Sequence, residues 1–157
     1  PDAAAAAYVT VRAVHASVLL LCVLSPLLWL GAAVVVPWLL GPVYAPSLLA
    51  LAVLLPGVAV YGAASALSAW FTNHAGRPRV PALLASASLA INVVVSVLAI
   101  PRLGIIGGAL ATSVSYGVAV AIGAWLFMRA SGTPARVLLR PDWRMLAADL
   151  QRLRAAH

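Results

Sequence analysis

Charge is what this sequence has least of. Asp, Glu, Lys and Arg make up 8% of its 157 residues; there is no Lys and no Glu, and the acids are Asp2, Asp142 and Asp149. A soluble domain carries about 25% charged residues, so a water-soluble globule does not fit this composition. A disordered chain fails on the opposite count, because 64% of the residues are hydrophobic and the mean hydropathy is +1.07. A single cysteine, Cys22, excludes a disulfide scaffold. What remains is an integral membrane protein.

Groups that do chemistry are equally scarce. The acids are confined to the two ends of the chain, and His15, His74 and His157 fall in three separate segments. Cys22 sits among Leu and Val and reads as inert buried packing. Hydrolysis or group transfer needs a positioned acid, base, nucleophile or metal site, and no such set is spelled out, so neither an enzyme nor a metal or other cofactor is expected. A proton-driven pump would show a carboxylate within a span, and none is present. The net charge of +7 comes from ten arginines. These lie between apolar blocks rather than along a stripe on a soluble fold, so no nucleic-acid partner is expected.

Dividing the chain by the roughly 20 apolar residues that cross a hydrocarbon core gives four spans, at about 16–40, 47–72, 81–100 and 105–128. No charged residue occurs between Arg12 and Arg77. The runs do not alternate apolar with polar residues, so the spans are helices rather than strands of a barrel. Pro26 and Pro56 fall inside the first two spans, where kinks are expected, and Pro101 is expected to end the third at Ile100. The chain thus divides into an N-terminal cytoplasmic or interfacial segment over 1–15, a four-helix transmembrane part over 16–129, and a basic cytoplasmic tail over 130–157; the stretch from Asp2 to His15 either lies on the membrane surface or begins the first span early. It opens on Pro1 in an Ala-rich run and reads as a piece of a longer protein.

Four spans put both termini on one side. Arg12, Arg77, Arg79, Arg129, Arg136, Arg140, Arg144, Arg152 and Arg154 belong to that side, and only Arg102 to the other. By the positive-inside rule the termini and the loop from Asn73 to Val80 are cytoplasmic. From Pro141 onward, Trp143, Leu146, Ala147, Leu150 and Leu153 recur at helical spacing, which predicts an amphipathic interfacial helix resting on anionic membrane lipid; a solvated tail is the plain alternative.

Two patterns lie within the spans. Gly107, Ala111, Ser115, Ala119 and Gly123 recur every four residues in the fourth span, with Gly104 and Gly108 as a second small pair. Small residues at this spacing let helix backbones approach closely, and intramolecular packing is the expected use. The third span carries Ser88, Asn92 and Ser96 on one face. An amide in hydrocarbon turns toward protein or a water-filled cavity, so Asn92 either ties two helices together or contacts a substrate. Arg102 is either an interfacial anchor or a phosphate contact.

The stretch from Ile91 to Tyr116 carries Asn92 and the turn Ile100-Pro101-Arg102-Leu103-Gly104-Ile105-Ile106-Gly107-Gly108-Ala109-Leu110-Ala111-Thr112. It resembles the C-terminal region of bacterial polysaccharide-biosynthesis flippases, the oligosaccharide or O-antigen transporters of the multidrug/oligosaccharidyl-lipid/polysaccharide exporter superfamily. Leu39-Leu40-Gly41-Pro42-Val43-Tyr44 is similar to that family's Gly-x-x-Tyr turn, and Ala75-Gly76-Arg77-Pro78-Arg79 to its cytoplasmic connection. Pro42 beside the tyrosine turn and Gly108 in place of a commoner Ala depart from the pattern.

The resemblance implies part of a two-lobe exporter, with these spans the last four of its second six-helix bundle. Its cargo would be a lipid-linked oligosaccharide, its partner the upstream lobe, its location the bacterial inner (cytoplasmic) membrane, and its reaction relocation across the bilayer with no covalent change. Within that superfamily a peptidoglycan-precursor flippase or a multidrug exporter is the alternative. A stand-alone four-helix membrane scaffold and the truncated end of a membrane glycosyltransferase are readings from other classes.

Overall fold

A computed structural model describes residues 3–139. The Ala-rich opening is a strong helix former and runs straight into the apolar block behind it, giving one helix, α1, over Ala3–Leu39. Residues 3–15 are therefore the first turns of the same helix, the second of the two readings open for that segment. At 1.5 Å per residue α1 is about 55 Å long, well beyond the ~30 Å of a hydrocarbon core. It continues through both Pro26 and Pro37.

Gly41, at φ 89°, breaks the chain direction, and a single 3-10 turn over Pro42–Tyr44 leads into α2, Pro46–Ala69. The indole Nε1 of Trp29 donates to Leu48 O at 3.0 Å and ties α1 to the start of α2. Helix α2 passes through Pro56 and widens at its far end into a π turn, Trp70–His74, which the sequence pattern did not announce. Helix α3 spans Arg79–Leu103, α4 spans Ile105–Ser131, and a short α5 covers Ala135–Leu139. No strand occurs among the described residues.

Pro101 does not end α3. It occupies the last turn, where only one intrahelical bond is forfeited, and the helix stops three residues later at Gly104, φ 58°. The Gly104 amide donates to Ile100 O at 2.8 Å and Gly104 O accepts from the Gly107 amide at 3.0 Å, so one residue joins two helices. The amphipathic helix expected from Pro141 onward lies outside the described residues.

The helices pack in the order α1, α2, α4, α3, with α4 seated between α2 and α3. Burial is concentrated at one end. Ala7, Val11 and Val14 of α1 meet Ala63, Leu67, Trp70 and Phe71 of α2 and its π turn, with Val120 and Phe127 of α4 and Leu138 of α5 completing the cluster. The rings of Trp70 stand edge-on to Phe71 and to Phe127, both at 5.0 Å. Trp70 Nε1 is buried with no acceptor among the described residues. His15 Nε2 donates to Leu138 O at 2.8 Å, so the first and last described helices are linked at this end.

Elsewhere large apolar side chains point outward. Leu20, Val23, Leu24, Leu27 and Leu28 on α1, and Leu89, Val93, Val94 and Val97 on α3, are all about half exposed or more. Cys22, expected in packing, is on this exposed face too. In water such a surface would be untenable; four helices long and apolar enough to cross a membrane make it a lipid- or protein-facing surface. The chain is an all-helical membrane protein.

Candidate functional site

The polar groups expected on α3 and the small residues expected on α4 meet along one seam. Ala111 and Ser115 are fully buried there, and Gly107 and Gly123 are buried with them, while Ala119 is half-buried. A side chain at Gly107 would have its Cβ 2.6 Å from the backbone carbon and oxygen of Ala99, so glycine is what allows α3 and α4 to touch. At Gly123 the nearest atom would be Leu84 Cδ1 at 3.3 Å, a flexible side-chain tip. Gly108 is looser, with Ile100 Cδ1 at 3.9 Å, and Gly104 serves the turn rather than the seam.

Asn92 faces this seam. Its Nδ2 donates to Thr112 Oγ1 at 3.1 Å and to Ser115 Oγ at 3.4 Å. Each hydroxyl spends its own proton on α4: Thr112 on Gly108 O at 3.1 Å and Ser115 on Thr112 O at 2.9 Å. Both hydroxyls are therefore acceptors toward Asn92, which fixes the amide with its nitrogen inward. Ser88 Oγ adds a bond to Ser115 O at 3.3 Å, one helical turn further along. Ser96, expected on the same face, makes no hydrogen bond among the described residues. The amide is thus a helix tie with both protons committed, and its Oδ1 is the one acceptor left over.

A second seam, between α2 and α4, escaped the sequence reading. Ser113 Oγ donates to Val53 O at 2.7 Å and approaches Leu54 O at 3.3 Å. These carbonyls lie in the turn before Pro56, whose ring takes the helical donor from Ala52 O and loosens the ladder there, and α4 adds a hydroxyl donor to that loosened turn. Gly57 lets this happen: a Cβ there would fall 2.5 Å from Ser113 Cα. Pro56-Gly57 was the available signal, since a glycine directly after a kinking proline marks a close approach. Tyr61 and Tyr116 stack at 4.1 Å one turn on.

Arg102 is not brought to Asn92. Ten residues apart on α3, they are separated by about 15 Å along the axis. Arg102 is exposed at the end of the helix beside Val95, Leu98 and Ala99, and no second basic side chain among the described residues joins it. The remaining described arginines, Arg12, Arg77, Arg79, Arg129 and Arg136, stand toward the opposite ends of their helices. Arg129 lies over the Trp125 ring at 5.4 Å. No group of His, Cys, Asp or Glu able to hold a metal occurs among the described residues.

Set against protein-family models, curated proteins and solved structures, the chain matches none of them.

Proposed function

We propose that this chain is part of a membrane flippase that carries a lipid-linked oligosaccharide across the bacterial cytoplasmic membrane, with its termini in the cytoplasm. The observation that carries the reading is the elbow between α3 and α4. The residues on which the likeness to polysaccharide flippases rests each have a mechanical task there: Pro101 in the last turn, Gly104 as the one-residue joint, Gly107 against Ala99, and Asn92 tying the helices behind it. A transporter that rocks one lobe against another needs lobes that move as rigid bodies, and two helices locked by backbone contact and an amide tie behave so.

The small-residue stripe also argues against the scaffold reading. Ala111, Ser115, Gly107 and Gly123 are consumed inside the chain and are not available to a partner. The outward apolar faces of α1 and α3 are where an upstream lobe or lipid would lie. Arg102, alone at its end, acts as an interfacial anchor in this reading, and the cargo's phosphates are held by other parts of the transporter.

The test is cellular. The full-length protein, restored to bacteria lacking their own flippase for a defined glycan, should return the lipid-linked oligosaccharide to the outer face, where an added glycan-modifying enzyme reaches it. Accumulation at the inner face, with the protein correctly inserted, would overturn the proposal.

A further inference from the structure

We infer that the groove between α2 and α3 is a binding site for one anionic glycerophospholipid, its alkyl chain between the helices and its headgroup on Arg77 and Arg79. Because α2 and α3 both lean on α4, a trough of ≈ 210 Å³ remains between them, floored by Ala119 and Gly123. Phe71 and Pro81 flank it at one end, and Tyr61 and Ser88 lie at the other. Ten residues of α2 separate Phe71 from Tyr61, a depth of about 15 Å. The trough is narrow, open along its length and walled mostly by Ala, Leu, Phe and Val, with few polar groups to bind sugar hydroxyls, so its chemistry suits an extended alkyl chain lying along it.

The mouth sets the headgroup. The Arg77 amide donates to Phe71 O at 2.8 Å, folding the connection back over the end of the groove, and Arg79 opens α3 two residues before Pro81. Both side chains are exposed, and neither guanidinium has a partner among the described residues. No carboxylate occurs among the described residues to neutralise them. A chain with a phosphate at its head satisfies both halves of the site, and a membrane supplies it at high concentration. The site also explains why Ala119 alone of the five-residue stripe is left half-buried: the space over it belongs to the groove. The inference holds whether or not the chain transports anything.

The experiment uses the full chain in nanodiscs of equal phosphatidylglycerol and phosphatidylcholine with identical acyl chains, released and weighed by native mass spectrometry. One phosphatidylglycerol should be retained with a preference of about thirtyfold, the worth of two guanidinium groups at an anionic surface. Arg77→Gln with Arg79→Gln should keep a lipid but lose the preference. Ala64→Phe with Ala85→Phe, which fills the walls, should lose both lipids. Independently of any variant, phosphatidylglycerol bearing a photoreactive acyl chain should label residues 61–71 and 81–88. Equal retention of the two lipids by the wild type, retention of phosphatidylglycerol by the filled-groove variant, or labelling spread evenly over α1 and α3 would overturn the site. Displacement by an equimolar polyprenyl phosphate would reassign it to that lipid.

Discussion

The two ends of α1 share one composition and differ in everything else. Its first four turns bury Ala7, Thr10, Val11 and Val14 against α2, α4 and α5, and His15 clasps Leu138. From Ala16 to Leu39 not one residue is buried, and the helix is held to its neighbours by Trp29, the turn at Gly41 and the approach of Ser17 and Leu21 to Gly62. The aromatic trio Trp70, Phe71 and Phe127 belongs to the first end, and nothing of comparable bulk is buried at the second. Apolar character alone therefore does not make a core in a membrane protein. Where lipid is as good a solvent as leucine, burial follows shape and hydrogen bonding instead.

Substitutions can break this contrast. Phe127→Ala should be the most damaging, at about 3–5 kcal/mol, because a fully buried ring is lost from the one dense cluster. Denaturation by SDS in mixed micelles would measure it. Gly107→Leu should cost about 1–3 kcal/mol, toward the upper end because the opposing atoms are backbone. It should abolish export while leaving membrane insertion intact, and normal export would show that α3 and α4 need not touch.

Asn92→Ala should cost about 0.6 kcal/mol, the average for an interhelical hydrogen bond in a membrane. Export at the wild-type level would confine Asn92 to its tie, whereas a loss of export larger than the loss of stability would assign its free Oδ1 to cargo. Gly31→Leu, on the unburied end of α1 with nothing within 4 Å, should change stability by less than about 0.5 kcal/mol. If instead it disables the proposed export with insertion unchanged, that bare face is an interface with another part of the protein or a partner.

What could be read from the letters follows the same physics. The four-residue spacing from Gly107 to Gly123 and the amide at Asn92 announce themselves because small and polar residues are costly in a lipid-facing position, so each marks a contact. The contact at Gly57 was harder to see, since Pro56 beside it already accounted for a break and drew attention to a kink. The reach of α1 back to Ala3 stayed one of two readings because alanine suits a helix in water and in lipid alike. The end of α3 was misjudged at Pro101, where a ring in a final turn forfeits a single bond. The π turn at Trp70–His74 has no periodic signature at all.

Packing α4 between α2 and α3 has a consequence for biogenesis. As the chain leaves the ribosome, α2 can settle on α1 at once, but α3 enters the bilayer with Asn92 and Ser88 lacking their acceptors, and these are supplied only by the helix made next. The settling of α3 must therefore wait until α4 slots between it and α2, and a protein halted before Ile105 would leave α3 stranded, its amide exposed to lipid and open to the quality-control proteases of the membrane.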